Sequence, residues 1–377
     1  MHEIDLFIVA CEPSADLLGA SLLEQIKKNH TDLKVAGVFG PQMRKFGFLE
    51  ILPMEDFSIM GFFEVIRNFP KLLQKFFLLR KNLLQLAPKQ VLFIDYPGLN
   101  LRLQKSLRKK GFKGQLFHFV SPSVWAWGKK RIHTLAANVD RLFTLFPFEE
   151  KYYKNTSLQV NYVGHPLIES IGSYPYSIDL QKKYHLEEGK PILSIFPGSR
   201  FHEIEKNLPL QFKVAKKIKR FYPDTLIAIS YTNEKMLSWI KKKIGHNAVF
   251  FPSEENYEWM KKSQLAFATS GTVTLELALH ECPSIVTYAI RKVDVFLAQK
   301  IFRINLPFYC LVNLLLQEEV FPELFGPNFK EDNLFFHAKN LFAKNSLRQR
   351  QKGLCRKVKR SFEGKSPSQE IMKILLT

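Results

Sequence analysis

Residues 91–100 read Val-Leu-Phe-Ile-Asp-Tyr-Pro-Gly-Leu-Asn, an apolar run that ends at an acidic residue and a Pro-Gly turn. Similar apolar runs lie at 6–10, 35–40, 115–120 and 141–146, with helical patterns between some of them. Continuous apolar runs are typical of strands buried on both faces of a parallel sheet. Their alternation with helices predicts βαβ units and an α/β fold.

The pattern restarts after Pro166, beyond a polar, linker-like stretch. The 377 residues are too many for one core and suit two domains of similar size. We therefore predict two doubly wound, Rossmann-like domains at 1–168 and 169–344. The strands predicted for the second domain lie at 191–196, 225–230, 248–251, 265–268 and 284–288.

The chain is strongly basic, with 55 Lys and Arg against 35 Asp and Glu residues and a formal net charge of +20. Such an excess favours anionic partners, namely phosphates, nucleic acid or an acidic lipid surface. A generally basic composition with solvated lysines explains the same numbers. No recognised nucleic-acid-binding module appears, so we expect no nucleic-acid partner.

Several function classes are not indicated. The four cysteines include no CxxC pair, and no P-loop, HExxH or GxSxG motif is present. We expect no metal site and no cofactor. The first residues resemble neither a basic leader nor a cleavage site, and no apolar run reaches the ~18 residues of a membrane span. We expect a cytoplasmic protein.

Ligands of doubly wound sheets bind beyond the carboxyl ends of the strands, so the turns there are the candidate sites. Asp95 follows the most apolar strand, where its carboxylate would serve as a general base or, alternatively, as a turn or helix cap. The turn at 11–16 carries Glu12, Ser14 and Asp16, a pattern that also suits a helix N-cap.

Two turns of the second domain have the pattern of a nucleotide site. Gly198-Ser199-Arg200 offers backbone N–H groups and a cationic fork to a diphosphate. Ser270-Gly271-Thr272 opens a helix, and Glu276 lies about one turn further on, where it would bind ribose hydroxyls. Together these turns indicate a nucleotide-sugar transferase more specifically than either turn does alone.

The segment 59–84 has an unusually wide apolar face with a basic rim. This pattern fits a helix that packs on the core and equally a helix that lies on anionic lipid. We predict that part of it contacts a membrane. The predicted contact residues are Phe62, Phe63, Val65, Ile66, Phe69, Leu72 and Leu73.

Taken in their order along the chain, these turns resemble those of one family, the lipid-A-disaccharide synthases, from the first strand to about residue 325. The most specific stretch is Ser121-Pro122-Ser123-Val124-Trp125-Ala126-Trp127. The other matching motifs are Glu12-x-Ser14-x-Asp16, Gly40-Pro41-Gln42-Met43, Met60-Gly61, Ile94-Asp95-Tyr96-Pro97 with Asn100, Phe146-Pro147-Phe148-Glu149, Gly164-His165-Pro166, Pro197-Gly198-Ser199-Arg200 with Glu203, and Ser270-Gly271-Thr272 with Glu276.

The resemblance implies a GT-B glycosyltransferase that joins UDP-2,3-diacylglucosamine to 2,3-diacylglucosamine 1-phosphate through a β-1,6 bond and releases UDP. It implies Asp95 and Glu12 as catalytic residues, and Ser14, Asp16, Met60 and Asn313 as other substrate contacts. It further implies a C-terminal helix, about 345–377, that completes the first domain, a swapped homodimer, and a peripheral location on the inner membrane.

This sequence departs from the family pattern at three positions. Cys11 and Ala15 replace two glycines of the first turn, and Val312 replaces the proline before Asn313. If the glycines provide positive φ angles, this turn has to be rearranged or strained. Two alternatives stay open: a divergent, non-catalytic copy that binds lipid, and another UDP-sugar enzyme on the same scaffold.

Overall fold

The structure is a computed structural model, and for residues 62–69 it describes the backbone alone. The described residues are 3–30, 32–57, 62–126, 128–290 and 306–376. They divide into two compact units. The first unit comprises Met1–Glu169 and Gly364–Thr377, and the second comprises Ser170–Glu363.

Each unit contains one parallel sheet. The strands are β1 (Leu6–Ala10), β2 (Val35–Phe39), β3 (Leu49–Pro53), β4 (Gln90–Ile94), β5 (Gln115–Phe119), β6 (Arg141–Thr144), β7 (Gln159–Tyr162), β8 (Ile192–Phe196), β9 (Leu226–Tyr231), β10 (Val249–Pro252), β11 (Leu265–Thr269), β12 (Ser284–Tyr288) and β13 (Glu323–Phe325). Their order is β3-β2-β1-β4-β5-β6-β7 in the first unit and β10-β9-β8-β11-β12-β13 in the second. The predicted pair of doubly wound sheets is confirmed.

Helices flank both sheets. They are α1 (Pro13–Asn29), α2 (Pro41–Arg44), α3 (Phe62–Leu86), α4 (Pro97–Lys109), α5 (Lys130–Asn138), α6 (Pro166–Gly172), α7 (Leu180–Tyr184), α8 (Phe201–Phe221), α9 (Glu234–Ile244), α10 (Asn256–Lys262), α11 (Val273–Leu279), α12 (Leu311–Leu316), α13 (Glu331–Ala343), α14 (Asn345–Arg360) and α15 (Pro367–Leu375). In the described ranges, none of them has the length and apolar character that crossing a bilayer requires.

The first sheet is buried on both faces, as its apolar strands require. Leu6, Ile8 and Ala10 of β1 belong to one core cluster, and Phe7 and Val9 belong to the cluster on the opposite face. Because side chains alternate along a strand, a strand with apolar residues at every position is stable only between two layers of helices.

Strand order reverses between β1 and β4 in the first sheet and between β8 and β11 in the second. Neighbouring turns at such a switch point leave a crevice at the carboxyl edge of the sheet, where ligands of these folds bind. The predicted turns at Glu12 and Asp95 follow β1 and β4. Those at Arg200 and Ser270 follow β8 and β11.

The expected C-terminal extension of the first domain, 345–377, is too long. α14 belongs to the second unit. It buries Leu354 and Val358, and its Gln351 exchanges hydrogen bonds with the backbone of Ser284 in β12. Only 364–377 belong to the first unit, where Ile371 of α15 packs into a core cluster with α1 residues.

Candidate active site

The turn after β4 holds Asp95 in an unusual backbone conformation. Asp95 and Tyr96 both have φ of +46°. Left-handed conformations of residues other than glycine cost on the order of 1–3 kcal/mol each and are concentrated at functional sites. Val120, after the neighbouring strand β5, also has positive φ, 76°. The carboxyl edge of β4 and β5 is therefore a strained region of the first unit.

Asp95 lies beside Glu12. Ala10 and Ile94 are paired in the parallel ladder of β1 and β4, which brings the two following turns together. Burial, the negative charge of Glu12 and a hydrogen bond between the two carboxyl groups, in that order of size, together raise the pKa of Asp95 to about 7. A carboxyl group with a pKa near neutrality is suited to general-base catalysis.

The turn after β1 tolerates its two replacements of glycine. Neither Cys11 nor Ala15 has a positive φ, and both side chains are fully buried in core clusters. The strain considered for these positions is absent. Ser14 is exposed, and its Oγ donates a hydrogen bond to Oε1 of Glu12 at 2.8 Å. Ser14 therefore orients the neighbour of Asp95.

Asp16, predicted as a substrate contact, has a structural role. Only 2% of Asp16 is exposed. Its Oδ1 accepts the N–H groups of Gly40 at 2.9 Å and Met43 at 3.1 Å, and its Oδ2 accepts that of Gln42 at 2.8 Å. Asp16 thus caps the start of α2. A side chain on Gly40 would come within 2.5 Å of this carboxylate, which explains the glycine.

Three motifs quoted for the resemblance meet beyond β5, β6 and β7. The rings of Trp125 and Phe148 lie 6.0 Å apart, and those of Phe146 and His165 lie 5.1 Å apart. The Phe146 N–H donates to Oε2 of Glu149 at 3.1 Å. Burial raises the pKa of Glu149 to about 8 and lowers that of His165 to about 4, which favours the neutral form of both. Met60 lies outside the described residues.

In the second unit, the turn after β8 presents a cation at the start of α8. Gly198 has φ of +111°, and a Cβ there would come within 2.9 Å of Oε2 of Glu203, so the turn requires glycine. Ser199 and Arg200 are exposed. Nη1 of Arg200 donates to Oε1 of Glu203 at 3.0 Å. This ion pair aims the guanidinium along the first turn of the helix.

The turn after β11 only partly matches the prediction. Gly271 and Thr272 are exposed just before α11. Ser270 is half-buried, and its backbone N–H already donates to the carbonyl of Thr287 at 3.0 Å. Of the two hydrogen-bonding groups expected from Ser270, only the hydroxyl is therefore left for a ligand.

Glu276 is supported by residues that the sequence analysis did not identify. The Tyr257 hydroxyl donates to its Oε1 at 3.3 Å. Nδ1 of His280 lies 2.7 Å from the backbone oxygen of Glu276, and the Tyr176 hydroxyl lies 2.8 Å from Nε2 of His280. Burial raises the pKa of Glu276, and the hydrogen bond from Tyr257 partly offsets this. The tyrosines come from elements distant in sequence, so no local motif reveals them.

Asn313, also predicted as a substrate contact, has a structural role. It is fully buried. Its Nδ2 donates to the Phe321 carbonyl at 2.8 Å and to Oε1 of Glu323 at 2.7 Å. Its Oδ1 accepts the N–H groups of Val320 at 2.9 Å and Phe321 at 3.0 Å. These four bonds occupy the amide and close the loop that leads to β13.

The predicted membrane residues fall into two groups. The side chains of Phe62, Phe63, Val65, Ile66 and Phe69 lie outside the described residues. Leu72 is half-buried and packs against a core cluster. Leu73 is exposed, together with Phe77 and Leu78. α3 also packs on the core through the fully buried Leu79 and Leu83.

No group of three or more His, Cys, Asp or Glu side chains with the geometry of a metal site occurs in the part of the chain that the structure describes.

Comparisons with known proteins agree with the fold and the motifs. A family model described as lipid-A-disaccharide synthetase matches residues 6–373. The lipid-A-disaccharide synthase of Chlamydia trachomatis serovar D is 35% identical over 375 residues, covering 98% of this chain and 62% of that relative. That of Wigglesworthia glossinidia brevipalpis is 35% identical over 328 residues, covering 86% of this chain and 84% of the relative.

A solved structure shares the fold at low sequence identity. The UDP-GlcNAc 2-epimerase from Neisseria meningitidis, bound to UDP-GlcNAc, has a TM-score of 0.66 and 11% identity, covering 99% of this chain and 100% of that one. The family model covers nearly the whole of this chain, although the chain spans only 62% of the length of the first chlamydial relative. On this evidence the chain belongs to the lipid-A-disaccharide synthase family.

Proposed function

We propose that this chain is an inverting glycosyltransferase. It joins UDP-2,3-diacylglucosamine to 2,3-diacylglucosamine 1-phosphate and produces the β-1,6-linked lipid A disaccharide 1-phosphate and UDP. The observation that carries the proposal is Asp95, a carboxyl group with a pKa of about 7 at the switch point of the first sheet. The match to the family model supports the choice of substrates, which are those that the resemblance implies.

Asp95 is the general base of the proposed reaction. Its carboxylate takes the proton of the acceptor 6-hydroxyl while that oxygen forms a bond to C1 of the donor sugar. The bond between C1 and the diphosphate oxygen breaks, and its electron pair leaves with UDP. One displacement at C1 inverts an α-linked donor to a β-linked product. The proton on Asp95 then passes to solvent.

Glu12 increases the basicity of Asp95. Two neighbouring carboxylates repel each other. Once one carboxyl group is ionised, its negative charge makes the other hold its own proton more tightly. Ser14 donates to Oε1 of Glu12 at 2.8 Å and fixes the orientation of that carboxyl group. We expect Glu12 to act on the reaction through Asp95 and through contact with the acceptor sugar.

The second unit holds the leaving group in this proposal. Arg200 has a side chain 72% exposed and one ion pair with Glu203, so its guanidinium is accessible to a diphosphate. Gly198, Ser199, the Ser270 hydroxyl, Gly271 and Thr272 supply further donors. Glu276 accepts hydrogen bonds from the ribose hydroxyls. Developing negative charge on the diphosphate is stabilised by these groups, and we invoke no cofactor.

Arg200 gives a direct test of the nucleotide site. We expect Arg200→Ala to weaken UDP binding by about 10- to 100-fold in calorimetry, since charge-assisted hydrogen bonds contribute ~1.5–3 kcal/mol. Arg200→Lys should also be weakened, because a lysine cannot form the bidentate contact. Arg220→Ala, at the other end of α8, is the matched control. Unchanged affinity in Arg200→Ala would remove this contact from the proposal.

The acylated substrates require contact with a membrane surface. On α3, Leu73, Phe77 and Leu78 are exposed. The exposed Lys71 and Lys81 lie on the same helix. Apolar side chains with a basic rim suit an anionic lipid surface. These side chains support our proposal that the protein lies on the periphery of the inner membrane, on its cytoplasmic side.

We also propose that the chain forms a homodimer that exchanges its C-terminal segments. Support comes from α15, which packs on α1 while α14 belongs to the other unit. Gel filtration with light scattering gives the mass in solution. A monomeric mass at micromolar concentration would contradict the exchange.

The substrate assignment is tested with three mixtures. Purified protein should release UDP and form a disaccharide only when both acylated sugars are present. With UDP-N-acetylglucosamine alone, an epimerase would produce a second UDP-sugar, which we do not expect. Vesicle binding without any UDP release would favour a non-catalytic lipid-binding copy instead.

A further inference from the structure

A buried asparagine holds the strained turn that carries Asp95. Asn100 is fully buried on α4. Its Nδ2 donates to the backbone oxygen of Asp95 at 2.7 Å and to that of Ile94 at 3.3 Å. Its backbone N–H donates to the Tyr96 carbonyl at 3.1 Å. Three consecutive carbonyl groups of the turn are therefore bonded to one residue.

The backbone conformation of this turn requires stabilising contacts of this kind. Asp95 and Tyr96 are consecutive residues with positive φ, and neither is a glycine. Aspartate adopts this conformation more readily than most residues, but tyrosine does not. A left-handed residue with a bulky side chain persists only when surrounding contacts impose it. The Asp95 N–H, which donates to the Phe119 carbonyl at 2.8 Å, anchors one side of the turn to β5. Asn100 anchors the other side to α4.

The Asn100 amide contributes to the fold through its N–H donors. Its Oδ1 has no hydrogen-bond partner among the described residues. An unpaired buried oxygen is unfavourable, so a position needed only for packing is better filled by an apolar side chain. Unlike a leucine, the amide donates two hydrogen bonds from Nδ2 to the turn.

We propose that Asn100 is a positioning residue for the transfer reaction, which holds Asp95 in the left-handed turn so that its carboxylate faces the acceptor hydroxyl. The inference rests on the proposed function, because it assigns the turn to a general base. Asn100 itself touches neither substrate nor the reacting atoms. Its removal should lower kcat and leave the KM values largely unchanged.

The chain offers a matched control one helical turn away. Gln104 is also almost fully buried on α4, and its Nε2 lies 2.9 Å from Nδ1 of the fully buried His118. Its Oε1, like Oδ1 of Asn100, has no partner among the described residues. Gln104 is thus a comparable buried amide whose hydrogen bond goes to His118 of β5 and not to the Asp95 turn.

The first experiment compares Asn100→Leu with Gln104→Met, each of which replaces an amide by an aliphatic side chain of similar size. We expect kcat for UDP release to fall about 10- to 100-fold in Asn100→Leu, with KM within about two-fold, and to stay within about three-fold in Gln104→Met. If Asn100→Leu does not fold, Asn100→Ala removes the donors without adding bulk or charge, and the same fall is expected. Equal effects at both positions would overturn the proposal.

A rescue separates positioning from simple loss of packing. Tyr96→Gly and Tyr96→Ala both remove the aromatic ring, but only glycine adopts positive φ without cost. In the Asn100→Leu background we expect Tyr96→Gly to have several-fold higher kcat than Tyr96→Ala. With Asn100 present, the two Tyr96 variants should differ by less than about two-fold. If the ratio of kcat between Tyr96→Gly and Tyr96→Ala were the same with Asn100 and with Asn100→Leu, the role of Asn100 would be contradicted.

A crystal structure of the variant gives a readout that does not depend on activity. In Asn100→Leu, Asp95 or Tyr96 should leave the left-handed region, and in Gln104→Met both should keep it. Retention of both positive φ angles in Asn100→Leu would overturn the inference even if kcat fell as expected. Absence of UDP release by the unmodified protein would instead refute the proposed function and leave this structural result to decide on Asn100.

Discussion

The hydroxyl of Tyr257 donates a hydrogen bond to Oε1 of Glu276 at 3.3 Å. The contact ties α10 to the first turn of α11, beyond the strand that ends at the switch point of the second sheet. Burial raises the pKa of Glu276, and the bond from Tyr257 favours its ionised form. In the proposed function, this is the form that accepts hydrogen bonds from ribose.

The first prediction concerns this bond. Tyr257→Phe keeps the ring and removes the donor, so Glu276 should be less well oriented and less readily ionised. We expect UDP affinity to fall by about 3- to 10-fold in calorimetry at pH 7, in line with the ~0.5–1.5 kcal/mol of one hydrogen bond. Tyr174→Phe is the control, because the Tyr174 hydroxyl bonds to the Glu254 carbonyl. Equal affinity in both variants would exclude Tyr257 from the nucleotide site.

The second prediction is that removing the Asp95 charge stabilises the fold. The pKa of Asp95 is about 7 in the folded protein and 3.8 in the reference state. Between these values the folded state binds more protons, so this group makes stability fall as pH rises from about 4 to about 7. Asp95→Asn should therefore raise the Tm at pH 8 by roughly 2–6 °C.

At pH 5 the carboxyl group of Asp95 is already protonated in the folded protein, so the advantage of Asp95→Asn should be smaller there than at pH 8. Thermal melts of both proteins at the two pH values provide the comparison. A Tm difference that grows towards low pH would mean that the assigned direction of the pKa shift is wrong.

The third prediction tests the structural role of Asp16. Asp16→Ala leaves three backbone N–H groups at the start of α2 without their acceptor, and each unmade bond is costly when buried. We expect unfolding free energy to fall by about 2–4 kcal/mol in denaturant titration. Ser14→Ala, two residues earlier and exposed, should change it by less than about 0.5 kcal/mol. A stable but inactive Asp16→Ala would return this residue to the substrate site.

The fourth prediction concerns the exposed face of α3. Changing Leu73, Phe77 and Leu78 together to Ser should weaken sedimentation with anionic vesicles by roughly 50- to 200-fold, because partly buried apolar side chains contribute about 1 kcal/mol each. The melting transition should persist, since all three side chains are exposed. Phe336→Ser, an exposed apolar residue of the second unit, is the control. Loss of the cooperative transition would show that these residues are core.

Apolar patterning was sufficient to predict the two sheets. Every position of 6–10 is buried, and only a strand between two helical layers satisfies such a run. The turns at Asp95 and Arg200 were predicted because carboxyl ends of parallel strands meet at one edge of a sheet. α14 was assigned to the wrong unit because its apolar stripe does not specify which surface it covers.

The roles of individual polar residues were harder to predict. Asp16 and Asn313 belong to motifs of the family, but the bonds of Asp16 and three of the four bonds of Asn313 involve backbone groups, and the partners of Asp16 are 24–27 positions away. A sequence motif shows that a residue type is required and does not show whether a ligand or the backbone requires it. Tyr257 was missed for the opposite reason, because its contact joins two helices without any shared motif.

The most direct measurement of the central claim is UDP release by Asp95→Asn. Unmodified protein, Asp95→Asn and Gln104→Met are supplied with both acylated sugars at pH 8, where the Asp95 carboxylate is ionised. We predict that turnover of Asp95→Asn falls by about 10²–10⁴ while its UDP affinity and melting transition are kept, and that Gln104→Met stays within about three-fold. Near-normal turnover in Asp95→Asn would contradict the account of this site as a transferase with Asp95 as its base.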